Sequence, residues 1–414
     1  MHTVIVIGAG AAGLMAAVAA AKSGSRVLLF EKNDIVGKKM GITGKGRCNL
    51  TNICTVPEFI ERTPGNGKFL YSVYRQFDNQ DFLALLTDWQ LATKVERGGR
   101  VFPESDSAIE VRKLFYKKLK GYNVELFLND KALKVRNCEL GKVEVTCSSG
   151  VYEGDACIIS TGGISYPQTG CTGDGYRFAR RLGHTVTDLK PSLIPLVSDD
   201  EWVKELQGIS LRNVAVSLWH GEKELAHQFG EMIFTHFGVS GPTILSLSNT
   251  ATKHEQDLPL QLQINLKPAL TDEVLDDRIQ RDFQKYSRKQ IENGMTELLP
   301  QRMILAVLRQ ARIDPTKTVN QITKEERLCL GKAMHHFSLT ISGTRPIEEA
   351  IVTAGGIALK EINPSTMESK LVPGLFFAGE VLDVDAYTGG YNLQAAFSTG
   401  YVAGAHASER GVTE

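Results

Sequence analysis

An α/β fold, with a Rossmann-like nucleotide-binding domain split by an inserted module, follows from three observations in the 414-residue sequence. The apolar run Val4-Ile5-Val6-Ile7 leads directly into Gly8-Ala9-Gly10-Ala11-Ala12-Gly13, then an alanine-rich stretch and a second apolar run closed by Glu31. Near the other end, the segment 374–380 passes through Asp383 and Asp385 into Thr388-Gly389-Gly390-Tyr391-Asn392-Leu393. Between them the texture changes at Pro191 and reverts after Arg345-Pro346, which predicts a first part at 1–191, an insert at 192–345 and a C-terminal part at 346–414. At about 150 residues per domain, a chain of this length holds two or three units.

Residues 3–31 read as a βαβ unit whose helix, over 14–21, carries small side chains that let it lie close on a sheet. A glycine- and lysine-rich loop occupies 37–52. Helical stretches follow at 57–77 and 78–89, a hairpin at 93–103 and a helix at 107–120. Alternating polarity predicts strands at 124–128, 132–136 and 142–146, and 156–160 reads as a buried strand ending in Thr161-Gly162-Gly163. In the insert, 192–270 is β-rich, with strands at 193–197, 213–219, 231–235 and 260–266. The stretch 271–337 is helical: Asp272 and Glu273 favour the positive end of a first turn, and 298–311 is an amphipathic repeat. After 346 the α/β pattern returns.

Lys plus Arg and Asp plus Glu both number 47. No excess field exists to hold a polyanion by counterion release, so no nucleic-acid partner is expected. The seven cysteines include no C-x-x-C pair, which argues for a reducing compartment and against structural zinc or a dithiol relay. No metal-ligand cluster stands out. The first residues enter a core strand with no basic leader, and no apolar run approaches about 18 residues. The expectation is a soluble cytoplasmic protein without membrane association, its oligomeric state open.

The glycines of the first turn serve different ends. Gly8 permits the reversal, Gly10 admits backbone close to a pyrophosphate, and Gly13 seats the helix against the strand. Backbone N–H groups of Gly10, Ala11 and Ala12 and the helix dipole would then hold the phosphates. Glu31, followed by Lys32, would accept ribose hydroxyls, and its charge disfavours a 2'-phosphate. The loop 41–52, with Gly44, Arg47, Cys48 and Asn49, suits wrapping of a pyrophosphate and ribityl chain. Lys45 and Arg47 would favour the Cys48 thiolate, although without a partner cysteine simple packing is the stronger reading of Cys48. At the C-terminal end, a helix starting at Gly389-Gly390 would aim its N–H groups at the N1–C2 edge of a flavin. Glu380 or Asp383 would take ribityl hydroxyls, and Asn392 would cap the helix or bond the ring. The two motifs together predict FAD rather than NAD.

These stretches, together with Gly99-Arg100-Val101-Phe102-Pro103, Phe234-Thr235-His236-Phe237-Gly238-Val239-Ser240-Gly241-Pro242 and Thr353-Ala354-Gly355-Gly356 running to Thr366-Met367-Glu368-Ser369-Lys370, resemble the BaiN-like flavoproteins, a family that includes aminoacetone oxidase-like enzymes. The resemblance covers almost the whole chain. It implies a two-dinucleotide-binding-type FAD domain with an inserted β-barrel-like module and a helical appendage. It also implies that Gly8, Gly10, Ala12 and Gly13 meet the pyrophosphate, Glu31 the adenosine ribose, and the Ala132 backbone the adenine. Thr161 and Gly162, with Gly163 after them, would pass beside the cofactor. Glu380, Asp383, Asn392 and Leu393, with Gly379 and Gly390 shaping their turns, would meet the ribityl and flavin. Where many such proteins carry Ala-Gly-Asp, this chain has Ala378-Gly379-Glu380, which leaves open whether the Glu380 side chain, its backbone or Asp383 contacts the ribityl.

No second strand-GxGxxG-helix unit is present, so NAD(P)H would dock only transiently as co-substrate. The predicted activity is NAD(P)H-driven reduction of an activated double bond in a small organic molecule, with hydride passing through flavin N5. Alternatives are an O2-using amine oxidase, and a flavin-binding redox sensor or RNA-associated flavoprotein. Substrate-side candidates are His236, Tyr387, Tyr391 and Arg100, with His335-His336 behind them; packing or surface salt bridges are the competing reading for the histidines and for Arg100.

Overall fold

The computed structural model describes residues 2–138 and 141–409, and the chain forms two compact units, residues 1–191 with 347–414, and residues 192–346.

The first unit is built on a five-stranded parallel sheet in the order Leu375–Phe377, Ala156–Ile159, Thr3–Ile7, Arg26–Phe30, Glu125–Phe127. Its central strands are near-continuous Val, Ile and Leu, as a sheet covered on both faces requires. The first helix, Ala11–Lys22, has residues 11–20 all buried, because it lies between the sheet and the C-terminal helix Tyr391–Glu409. Gly400 and Gly404 make that packing possible: a Cβ on either would overlap the carbonyl of Ala12 or Ala16.

Two small antiparallel sheets flank this core, one from Ala132–Asn137, Val143–Cys147 and Val151–Gly154, the other from Thr51–Asn52, Arg100–Pro103 and Thr93–Glu96. The helix expected throughout 57–77 is broken: Val56–Glu61 stops before Pro64, Asn66 adopts a left-handed conformation, and helical turns resume at Gly67–Leu70 and Tyr71–Tyr74. The helix Asn79–Asp88 begins where Asp78 accepts the Gln80 and Asp81 N–H groups.

The second unit holds a seven-stranded antiparallel sheet in the order Phe337–Ile341, Leu260–Asn265, Ser210–His220, Lys223–Thr235, Gly238–Ser240, Leu196–Val197, Gly343–Thr344. The outermost strands are separated in sequence by Ser342 alone, so the sheet must curl round until its edges approach, a barrel-like closure. Lys223–Thr235 runs well beyond the strand expected at 231–235, and Pro242–Lys253 is a helix that the residue pattern does not announce. The helical stretch comprises Asp272–Lys285, Ile291–Gly294, Gln301–Ala311 and Lys324–His335, and Phe337 opens a strand instead of closing a helix. Val216, Phe234, Leu262, Ile304 and Met334 belong to a core of this unit's own. Among the described residues, no helix is long and apolar enough to cross a membrane, and no group of three or more His, Cys, Asp or Glu could hold a metal ion.

Candidate functional site

The glycine turn closes on the strand beside it. Gly8 has φ +98°, its N–H donates to the Phe30 carbonyl at 2.8 Å, and a Cβ there would press on the Ser160 carbonyl. A Cβ on Gly13 would overlap the Gly8 carbonyl, whereas the space beyond Gly10 is open. The N–H groups of Gly10, Ala11, Ala12 and Gly13 find no acceptor among the described residues. Four unpaired donors at the positive end of a helix form an anion-binding cradle of pyrophosphate type.

Glu31 ends the second strand with only 8% of its surface exposed. Its Oε1 accepts from the Asn33 N–H and Nδ2 at 2.8 and 2.7 Å, and its Oε2 accepts from the Ala9 N–H at 2.8 Å. The carboxylate is thereby aimed, and Oε2 retains acceptor capacity for a ribose hydroxyl. Lys32 turns to Asp174 at 2.8 Å and Thr172 at 2.6 Å. Burial alone would raise the Asp174 carboxyl, but Lys32, Thr172 and Lys131 outweigh it and hold the group below the usual carboxylate range. Ala132 is buried at the start of its strand, opposite Cys147.

The C-terminal motif reaches the same place. Gly379 has φ +77°, and a Cβ there would crowd the Ala12 side chain, so the segment carrying Glu380 rests on the first turn of the first helix. Gly390 has φ +98° and packs on the Thr51 carbonyl. The N–H groups of Tyr391, Asn392 and Leu393 find no acceptor among the described residues. The Asn392 side chain holds the preceding turn, accepting from the Ala386 N–H at 2.9 Å and donating to the Ala386 and Tyr387 carbonyls. The backbone N–H, not the amide, is therefore what this residue leaves open.

Glu380 is the centre of a polar cluster that no local sequence pattern announces. Lys39 Nζ lies 2.8 and 2.6 Å from its two oxygens, and the Ser165 hydroxyl and the Thr353 N–H donate to Oε1 at 3.0 and 2.9 Å. Gly162 and Gly163 pass beside this carboxylate, and a Cβ on Gly163 would overlap the Thr353 hydroxyl. The Thr161 hydroxyl, packed against Gly175, is buried without a partner among the described residues. Asp383 is anchored through its backbone, N–H to the Ile357 carbonyl and C=O from Asn66 Nδ2.

In the loop after the second strand, Gly44, Lys45 and Cys48 adopt left-handed conformations. Asn49, with its amide oriented by its neighbours, accepts from the Gly390 N–H at 3.0 Å, which joins this loop to the C-terminal motif. The expected Cys48 thiolate is corrected: the side chain is fully buried, and burial pushes the thiol up to about 12. The Arg47 guanidinium is committed to Glu96 at 2.7 Å and Asp106 at 3.1 Å and lies over the Phe102 ring. Arg100 is half-exposed on the same hairpin, near Glu96.

Tyr391 packs edge-on against Phe59, and Tyr387 is half-buried, its N–H bonded to the Arg62 carbonyl. His236 is exposed on the second unit beside Phe237, and His335 Nδ1 sits 2.6 Å from Asp272. Lys39 offers only its place in the glycine- and lysine-rich loop as a signal, since its carboxylate partner lies 341 positions away. Ser165 and Thr353 carry none, since only the fold brings them together.

Two unfilled helix N-termini and an aimed carboxylate are a donor and acceptor set that fits FAD. The residues that would hold it are Gly10 to Gly13 at the pyrophosphate, Glu31 at the ribose and Asn392 with Leu393 at the flavin edge.

The family model described as the HI0933-like protein Rossmann domain matches residues 2–406. A 3-dehydro-bile acid delta(4,6)-reductase of Clostridium scindens is 30% identical, the match covering 99% of this chain and 100% of that protein. A ribosomal RNA dihydrouridine synthase of Haemophilus influenzae is also 30% identical over 96% of each chain, and one of Escherichia coli is 29% identical over the same shares. The neutral overall charge therefore does not exclude a nucleic-acid partner. Among solved structures, a 3-ketosteroid-delta4-(5alpha)-dehydrogenase of Rhodococcus jostii shares the fold with a TM-score of 0.52 at 14% identity, covering 99% of this chain and 97% of that one. An Escherichia coli quinol fumarate reductase does so with a TM-score of 0.54 at 15% identity, covering 100% of this chain and 71% of that one. The chain belongs to the HI0933-like family of Rossmann-domain proteins, the BaiN-like flavoproteins that its motifs resemble, and it is an FAD-dependent oxidoreductase.

Proposed function

We propose that this protein saturates a carbon–carbon double bond conjugated to a carbonyl in a small organic molecule, with NAD(P)H as the electron source. The observation that carries this reading is the near full-length similarity, at 30% identity, to two proteins whose names denote that one reaction type, on a bile acid and on uridine. When bound, FAD supplies a two-electron carrier that exchanges hydride at N5. The chain's own residues bind and orient. Gly10 to Gly13 hold the pyrophosphate, Glu31 the ribose, and Glu380 or Asp383 the ribityl chain. The Asn392 and Leu393 N–H groups present fixed positive dipole to the ring edge that gains negative charge on reduction. A second reading, uracil within RNA as acceptor, has support in the two relatives named for ribosomal RNA.

Anaerobic titration of the holoprotein with NADH and NADPH, followed by candidate acceptors, tests both. Bleaching of the flavin bands by a nicotinamide and their return on adding a conjugated steroid ketone supports the proposal. Return only on adding RNA transfers it to the uracil reading. Failure of either nicotinamide to bleach, with bleaching by an amine and peroxide formed in air, replaces both with the oxidase.

A further inference from the structure

The Lys39–Glu380 ion pair joins four separate segments of the first unit at the cofactor cleft: the loop after the Arg26–Phe30 strand, the segment 161–165, the strand Val352–Ala354, and the turn following Leu375–Phe377. We propose that Lys39 is a positioning residue for FAD: through Glu380 it fixes a carboxylate in the cleft and cancels its charge, so that the flavin's reduction potential and FAD affinity depend on the pair.

The geometry is saturated on the lysine side. The three ammonium hydrogens meet three acceptors, Ser165 Oγ at 2.7 Å and the two Glu380 oxygens at 2.8 and 2.6 Å. Lys39 therefore has no donor left for a phosphate, and its effect on a cofactor must pass through the carboxylate. On that carboxylate Oε1 is fully engaged, by Lys39, Ser165 and the Thr353 N–H, while among the described residues Oε2 accepts from Lys39 alone. Oε2 lies toward Gly162. The pair is mostly sheltered, with 20% and 18% of the two side chains exposed, so solvent screens it weakly.

Glu380 also follows Gly379, which rests on Ala12 in the first turn of the first helix. A bare carboxylate this close to the pyrophosphate cradle would repel both the bound phosphates and the negative charge added on reduction. The ammonium removes that repulsion and holds the carboxylate in one orientation. Nothing in this depends on which acceptor the enzyme reduces.

The test is Lys39→Met, Lys39→Arg and the double variant Lys39→Met with Glu380→Gln. FAD affinity is read by titration of the apoprotein, and midpoint potential by spectrophotometric redox titration against reference dyes. Lys39→Met is expected to raise the FAD dissociation constant at least tenfold. It should also disfavour reduction at least tenfold, a shift of about 30 mV to more negative potential for a two-electron couple. Lys39→Arg keeps the charge and recovers most of both. The double variant, lacking both charges, returns the potential toward that of the parent. A Lys39→Met protein with parental affinity and potential overturns the proposal, as does a double variant no closer to the parent than the single one. Should Lys39→Met fail to fold, the double variant decides: folded with the parental potential it supports the pairing, and folded with a displaced potential it overturns it.

Discussion

Replacing Gly400 with alanine sets two effects of opposite sign against each other in the helix Tyr391–Glu409. In a helix interior alanine is favoured over glycine by about 0.8–1.0 kcal/mol. At this position, however, the new Cβ lies 2.2 Å from the Ala12 carbonyl oxygen and 2.9 Å from its carbon, where ordinary contact begins at 3.4 Å. The helices must part by about 1.2 Å, and the atoms met are backbone, which cannot rotate aside. Overpacking costs about 1–3 kcal/mol, and because the atoms met are backbone the upper end applies, so the clash outweighs the propensity gain and a net loss of roughly 2 kcal/mol is expected. Because Ala12 also carries one of the unpaired N–H groups, FAD affinity should fall as well. Urea unfolding followed by circular dichroism, with and without FAD, measures both. Gly331→Ala is the control: it is helical, and its Cβ would meet nothing nearer than Leu275 Cδ2 at 4.0 Å, so a gain of about 1 kcal/mol is expected. A Gly400→Ala protein as stable as its parent, with unchanged FAD affinity, would refute the close-packing argument.

Glu31→Gln should weaken FAD binding by about 1.5–3 kcal/mol, roughly ten- to 150-fold, through loss of charge-assisted hydrogen bonds; fluorescence titration of apoprotein tests it, and equal affinity would dismiss the ribose role. With its thiol pushed up to about 12 and no exposed surface, Cys48 should resist alkylation at pH 8 while the exposed Cys329 reacts; mass spectrometry of the labelled native protein distinguishes them, and comparable rates at the two sites would contradict the burial. The Asp174 carboxyl is held below its unfolded value, so its contribution to stability is complete above the unfolded pKa of about 3.9 and is lost as pH falls through the folded one. Thermal midpoints measured from neutral pH downward should therefore show a shallower acid decline for Asp174→Asn than for the parent, and superimposable slopes would remove Asp174 from the account.

How much of the fold is legible in the sequence depends on how local the physics is. The parallel strands at 3–7, 26–30 and 156–159 are legible because apolar runs bounded by glycine have few alternatives. The role of Gly8 is equally plain, since a positive φ at a strand-to-helix turn admits little else. Lys223–Thr235 is recognisable only in its last five residues. Its first half, with Lys223, Glu224, His227 and Gln228, is half-solvated and has no apolar signature. Pro242–Lys253 escapes sequence reasoning because its small polar residues, Ser246, Ser248 and Asn249, are buried by tertiary packing rather than by pattern. Arg47 in a basic loop reads as a phosphate ligand, yet Glu96 and Asp106, remote in sequence, come within reach of it. The Lys39–Glu380 cluster lies outside any local reading, as its partners are separated by 341 positions.

The contact of Gly379, Gly400 and Gly404 with the first helix has a consequence for biosynthesis. Residues 8–13 emerge from the ribosome long before residues 379–393, with the separately clustered second unit made in between. Closing so long a loop carries an entropic cost that only late contacts can offset. The C-terminal helix start is thus completed only after the first glycine turn has waited for more than 360 residues of intervening chain, and a site that needs both cannot form before residue 393 has been made.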